Sequence, residues 1–411
     1  MPEQRSPLLQ RGIFALLSAE IISSLGSQMT FLALPWFVLT TTGSTTRMGI
    51  VLAVELAPIA LLGIPSGVVV TRLGALRTML VSDLARVPLM VAIPVLHSAG
   101  LLSFGVLLVL VFLLGTFLAP YFSAQRLVLP ELVGEDQSTL TQANAVVEAG
   151  SRLTVLLGPL AAGLLIAWIG ATNVLYVDAA SYAVSFLLLA AFVPRRRPLP
   201  ATDDGRGLLA GLRFVLADSL LRPMLLTVVF LHMFAQAIFV SLPVLAYVHF
   251  DASARTAGLL FAAFGAGSVI GSLAAIPLAR VVPPLRLATI GIVWVSLPLL
   301  GLGLVLPAVG VMAVLFAAGL GAVATAPIMA ILTTRAPEEL RAKVLTAVIT
   351  IVTISGPVTV LLVGRLLEGV DVRTLLFAMA VGRVLMAVAF AVVVPRRAGD
   401  LMPPASGEAV A

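Results

Sequence analysis

Glu20, Ser24, Ser27, Gln28 and Phe31 fall at helical spacing within the otherwise apolar run from Gly12 to Leu39, so a helix would carry all five on one face. A carboxyl, two hydroxyls, an amide and a ring aligned in this way can take up a proton, offer hydrogen bonds and present a flat apolar surface. Glu20 is the group of most interest, because an ionisable side chain inside an apolar helix is a functional candidate by default. The competing role is a plain hydrogen bond near the end of its helix. Glu55 has no local partner and is a second proton carrier, against a cap-like role at the mouth of its helix.

Other polar groups fall into smaller sets. Glu148 and Arg152 are four apart, with Asn144 one turn earlier, and either pair locally or form a gate. His232 and Gln236 are one turn apart near Phe239, as coupling groups or as packing. Thr346, Thr350 and Thr353 make a polar stripe, although threonines also bond their own backbone carbonyls. Asp83 and Arg86 are three apart, and a mutual ion pair with a structural role, or a tie to the turn at Arg72, explains them most cheaply. Arg383 requires a partner, since an unpaired arginine at mid-membrane costs at least ~2.5 kcal/mol. Asp178 has no assigned role.

Several chemistries are excluded. There is no cysteine, hence no disulfide, thiolate metal site or cysteine nucleophile. His97, His232 and His249 lie on different segments, so no metal-ligand spacing exists and no metal or other cofactor is expected. No nucleophile and base stand together, and the chain does not read as an enzyme. Gly265, Gly267 and Gly271 lack the strand and acidic residue of a dinucleotide loop and read as packing glycines. The only lysine, Lys343, is not in a phosphate-gripping Gly-Lys-[Ser/Thr] sequence.

These residues sit in a chain that composition places in lipid. It is 60% hydrophobic and 11% charged with mean hydropathy +1.13, against roughly 25% charged in soluble domains. At about 20 residues per crossing, 411 residues accommodate twelve helices. The expected fold is an all-α polytopic membrane protein with twelve transmembrane helices in two pseudo-symmetric six-helix bundles. The run Gly12 to Leu39 is longer than a signal-peptide core of roughly 7–15 residues and reads as the first membrane helix.

The division expected is 1–193 for the first bundle, 194–222 for a basic linker with one short surface helix, 223–394 for the second bundle and 395–411 for a disordered tail. The fourth helix is expected at Leu101 to Ser123, the fifth at Thr141 to Ile169, the ninth at Leu287 to Leu306 and the tenth at Ala308 to Thr333. Pro58, Pro65, Pro88, Pro94, Pro159, Pro277, Pro298 and Pro357 are candidate bends. A net charge of +6 and a pI near 10.6 follow from topology rather than from nucleic-acid binding. With both termini cytoplasmic, only Arg47, Arg255, Arg365 and Arg373 fall outside, as the positive-inside rule requires.

The turn after the second helix, Gly67-Val-Val-Val-Thr71-Arg72-Leu-Gly74-Ala-Leu-Arg77, resembles the Gly-x-x-x-Asp-Arg-x-Gly-x-x-Arg loop of the major facilitator superfamily. Thr71 stands where that family usually has aspartate, so its charge-relay lock is weakened or rebuilt around Asp83. Gly158-Pro159-Leu-Ala-Ala162-Gly163 resembles the Gly-Pro-x-x-Gly-Gly motif of its proton-driven exporters, with Ala162 at one glycine position. Leu34-Pro35-Trp36 with Thr42-Gly43-Ser44, Leu129-Pro130-Glu131-Leu132-Val133 and Ala336-Pro337-Glu338-Glu339-Leu340-Arg341 are similar to stretches of the exporter branch containing macrolide-efflux and siderophore-export proteins.

That resemblance implies a central cavity lined by helices 1, 4, 7 and 10, with 3, 6, 9 and 12 as outer supports and the halves rocking about it. It makes Ser24, Ser27, Gln28, Phe31, Gln236, Phe239 and Thr350 the substrate-cavity candidates. Glu20, Glu55, Glu148 and His232 become the proton-coupling candidates. Gly67, Arg72, Gly74, Arg77, Asp83, Arg86, Arg152, Gly158, Pro159 and Gly163 form the gating and structural set. The expected activity is proton-coupled efflux of amphiphilic, drug-like or siderophore-like molecules by a monomer in the plasma membrane, its partners being a small-molecule substrate, protons and the bilayer. An importer of a polar nutrient on the same fold is the alternative, and a non-transporting sensor or assembly partner a remote third.

Overall fold

The computed structural model describes residues 11–133, 137–194, 207–337 and 340–399. They are helical almost throughout, and twelve helices are long and apolar enough to cross a membrane. The first six crossings are α1 (Arg11–Thr42), α2 (Thr45–Leu73), α3 (Ala75–Ser98), α4 (Phe104–Val133), α5 (Gln137–Ile169) and α6 (Ala171–Phe192). A short helix, α7 (Gly207–Ala217), lies in the linker where one surface helix was expected. Then come α8 (Leu221–His249), α9 (Ala254–Leu278), α10 (Pro284–Ser296), α11 (Ala308–Gly319), α12 (Thr325–Arg335), α13 (Arg341–Leu366) and α14 (Val372–Gly399).

Local chemistry sets several boundaries. The fourth helix begins later than hydropathy implied, because Ser103 caps it: the amides of Val106 and Leu107 bond the Ser103 hydroxyl and carbonyl. It also runs ten residues beyond Ser123, through Pro130, where a loop was expected. The ninth crossing is not one helix. Pro298 cannot continue the α10 ladder, and a 3-10 turn, Pro298–Gly303, completes the span. The tenth is likewise broken, since Leu320–Ala324 tighten into a 3-10 turn between α11 and α12. The remaining bend candidates stay inside continuous helices. Residues 395–399, expected in a disordered tail, prolong α14.

By compactness the chain divides into two units. The first comprises Met1–Thr202, Val240–Ala262 and Val360–Gly369; the second Asp203–Phe239, Ala263–Thr359 and Val370–Ala411. In the first, α1 lies centrally, packed on α5 and α6, while α3 joins α4 to α6. Its core includes Leu16, Met79, Tyr121, Val128 and Leu189. In the second, Leu221, Met224, Ile292, Val344 and Phe390 share a core. Large apolar side chains such as Leu61, Trp168, Leu187 and Val305 stay exposed, as expected of a surface solvated by lipid tails.

Two glycine pairs in the first unit bring helices to backbone contact. A Cβ on Gly163 of α5 would lie 2.8 Å from the Gly258 Cα of α9, and one on Gly49 of α2 would lie 2.9 Å from the Gly364 Cα of α13. Beside the second crossing, Ser44 Oγ donates to Glu368 at 2.9 Å. The Thr46 and Ser44 hydroxyls, aided by Arg365, hold the Glu368 carboxyl below the usual carboxylate range.

Candidate functional site

A cavity of about 210 Å³ opens within the first unit. Helix α1 supplies Glu20, Ser23, Ser24, Ser27 and Gln28 to its wall; α3 supplies Arg86, α4 supplies Tyr121, Phe122 and Gln125, and α5 supplies Ser151. Glu20 is only 5% exposed. Gln125 hydrogen-bonds its carboxyl group, yet Oε2 has no partner. A buried oxygen without a donor costs free energy on the order of 1–3 kcal/mol, more if charged, unless a proton or an occupant of the cavity completes it.

The expected stripe on α1 therefore faces one space, apart from Phe31. Ser24 bonds the Thr154 hydroxyl of α5 at 3.0 Å. Ser27 donates to the Ser23 carbonyl at 3.0 Å and stands 3.1 Å from Tyr182 of α6. Gln28 is set by α5, because a Cβ on Gly158 would meet the Gln28 backbone at 3.1 Å. Glycine 158 thus lets α5 close on α1, while Gly163 one face around meets α9. Phe31 points elsewhere, edge-on to Phe261 with ring centroids 6.1 Å apart.

Behind the wall lies a buried charged layer. Arg86 Nη2 bonds Asp83 Oδ1 at 2.5 Å, and Ser185 Oγ donates to Asp83 Oδ2 at 2.7 Å. The Arg86 guanidinium sits 4.1 Å from the Tyr182 ring centroid and 4.5 Å from that of Tyr121, a cation held between two aromatic faces. This pairing occupies Asp83, which is therefore not the replacement acid for the Thr71 turn. Thr71 bonds its own helix at Val68 O, and Arg72 and Arg77 are exposed. Gly74 has φ +84°, closing α2 and opening α3, whereas Gly67 faces open space.

The remaining candidates are not among the residues lining the cavity. Glu55 of α2 feels the charge of Asp178, and its carbonyl is the atom a Cβ on Gly115 of α4 would strike. The side chain of Glu148 lies outside the described residues, and Arg152 is exposed. His232, Gln236, Phe239 and Thr350 belong to the second unit. There Phe239 stacks edge-on against Phe264 at 4.8 Å, and Arg383 is the charged neighbour of His232. Arg383 Nη1 donates to the Leu231 carbonyl, so its main partner is a backbone group rather than an acid.

Sequence reasoning missed α6 and α3 as parts of the site, treating both as outer supports. Arg86 of α3 reaches the cavity, and α6 contributes Asp178 and Tyr182 to the layer behind. The signal was present. Asp178, Ser181, Tyr182 and Ser185 are spaced three and four apart on an otherwise apolar helix, and the first three face Gly26, Ser27 and Thr30 at matching spacing on α1. Tyr121 and Gln125, four apart on α4, complete the set.

A carboxyl, an arginine between rings, two amides and several hydroxyls around one space can bind an amphiphile and exchange a proton with it; no nucleophile and base are paired there. The chain is 27% identical over 410 residues to the multidrug efflux pump Tap of Mycolicibacterium fortuitum, covering 96% of this chain and 97% of that protein. It is 25% identical over 390 residues to the Tap pump of Mycobacterium tuberculosis H37Rv, covering 89% and 90%. Its fold is similar to the crystal structure of a bacterial homologue of the human lysosomal transporter Spinster in an inward-facing, unoccupied conformation, with a TM-score of 0.74 and 15% identity over 97% and 100% of the two chains. Residues 4–405 match the transmembrane secretion effector model of the major facilitator type, and with that match the chain belongs to this family of membrane transporters.

Proposed function

We propose that this protein exports amphiphilic small molecules across the plasma membrane in exchange for protons, with Glu20 as the carboxyl that gives up its proton when cargo enters the cavity. The observation that carries the reading is Glu20 Oε2, buried, unpartnered and in the wall of a cavity lined by Tyr121, Phe122 and Gln125. An isolated carboxylate is costly in such surroundings and a neutral carboxyl much less so, which ties proton occupancy to whatever else fills the space. Efflux as the direction is supported by the names of the relatives. Glu55, Glu148 and His232 are secondary coupling candidates. In this reading both termini and the linker lie in the cytoplasm and the protein acts as a monomer.

The drive is adequate. For an uncharged cargo, one proton entering down ~100 mV releases about 2.3 kcal/mol, enough for a nearly fifty-fold gradient before any pH difference is added. Everted membrane vesicles given a lipophilic dye panel in the surrounding medium provide the test, since export then appears as uptake into the lumen. Dye movement should follow an imposed pH gradient, collapse with a protonophore and be lost in Glu20→Gln. Movement indifferent to the gradient, or accumulation of a sugar or amino acid in the opposite sense, would overturn the reading.

A further inference from the structure

The exchange at Glu20 and the Asp83–Arg86 ion pair leave a third buried carboxyl without a role. Asp178 of α6 has no exposed surface and no ion pair among the described residues. Three hydroxyls serve it instead. Thr30 Oγ1 at 2.5 Å and Tyr182 OH at 3.0 Å donate to Oδ2, and Ser181 Oγ approaches Oδ1 at 3.2 Å. Arg86 is near in charge but directed to Asp83 and the Ser82 carbonyl. Helix α1 seals the position, since a Cβ on Gly26 would overlap both Asp178 Oδ1 and Ser181 Oγ. A solute therefore cannot touch this carboxyl, whereas a proton can reach it: Tyr182 OH is 3.1 Å from Ser27 Oγ, and Ser27 lines the cavity.

We propose that Asp178 is a second proton site, filled and emptied through the Tyr182 and Ser27 hydroxyls, so that two protons enter for each cargo molecule that leaves. This rests on the proton-coupled reading and extends it. The Ser27 hydroxyl turns from the Ser23 carbonyl towards Tyr182; a proton from a donor in the cavity binds Ser27 Oγ as the Ser27 proton passes to Tyr182 OH and the Tyr182 proton to Asp178 Oδ2. Three O–H bonds break and three form, with nothing oxidised or reduced. The charged and titratable groups whose fields reach Asp178 are Glu55 of α2, Arg86 of α3 and Tyr182 of its own helix; Asp83 of α3 is taken up by Arg86, which also faces Tyr121 of α4, and Glu20 of α1 lies in the cavity wall. On α5, Arg152 is exposed. Arg86 and Asp83 neutralise each other, so a proton on Asp178 balances the charge of the layer.

Charge counting gives the test. A monovalent cation exported for two protons moves net positive charge inward, so an interior-negative potential drives it; exported for one proton, it moves none. Purified protein in liposomes is supplied with ethidium, and pH gradient and potassium-diffusion potential are imposed separately. In the unaltered protein each 100 mV should raise the limiting ethidium gradient about fifty-fold, and the pH gradient should act as well. Asp178→Asn should keep the response to pH and lose the response to potential, with protons moved per ethidium falling from two to one. Tyr182→Phe, which retains the ring over Arg86, should show the same loss and guards against misfolding in Asp178→Asn. If both variants keep the full potential response while the pH response is intact, the second site is wrong and proton-coupled efflux stands. If the unaltered protein ignores the pH gradient, both readings fall.

Discussion

Arg86 and Asp83 form an ion pair at 2.5 Å with both partners fully buried and a tyrosine ring on each face of the guanidinium. Removing one partner leaves the other charge uncompensated, which costs about 3–5 kcal/mol in buried pairs. Asp83→Asn and Arg86→Met should each lower the melting temperature of the detergent-solubilised protein sharply. The double replacement Asp83→Leu with Arg86→Met should recover part of that loss, because desolvation of both charges is relieved together.

Three glycines of the two family motifs have different geometry and should respond differently. Gly163→Val pushes a side chain into the Gly258 backbone of α9 and should cost about 1–3 kcal/mol through overpacking. Gly74→Ala meets φ 84° with ψ 148°, a conformation essentially reserved for glycine, and should cost about 1–3 kcal/mol. Gly67→Ala enters open space within α2 and should be neutral or slightly stabilising. Thermal unfolding of the three variants side by side checks the order.

Asp218 anchors the linker to α8. Its carboxylate accepts from the amides of Leu220 and Leu221 at 2.8 and 2.9 Å, and Arg335 stands at 3.1 Å. Burial alone would raise this group, but the two backbone donors and Arg335 outweigh it and hold the carboxyl below its ordinary value. A depressed carboxylate contributes stability above the unfolded value of about 3.9 and loses it as pH falls through the lower folded value. Melting between pH 7 and pH 3 should therefore decline less steeply in Asp218→Asn than in the unaltered protein. At pH 7, Arg335→Gln should cost at most ~1 kcal/mol, as for exposed pairs generally.

The twelve crossings were legible because they rest on a quantity that hydropathy reports directly, the length of each apolar run. The stripe on α1 was equally legible, since helical spacing alone puts Glu20, Ser24, Ser27 and Gln28 on one face. What escaped was pairing across helices. Nothing in the local sequence of Arg86 says that its neighbours are the rings of Tyr121 and Tyr182 from two other helices. Residue spacing also cannot tell a helix interrupted by a 3-10 turn from a continuous one, so the breaks at Pro298 and Leu320 appeared only with backbone geometry. Phe31 shared the stripe's spacing but sits at its edge, where a few tens of degrees of rotation move it from the cavity onto Phe261.

The proposed exchange depends most on Glu20 releasing a proton as cargo enters. Purified protein in weakly buffered detergent solution, mixed with ethidium in the presence of a pH-indicating dye, measures that step without any membrane. The unaltered protein should acidify the medium in proportion to ethidium bound, and Glu20→Gln should bind without that share of the acidification. Ethidium binding by the unaltered protein with no proton released would contradict the account.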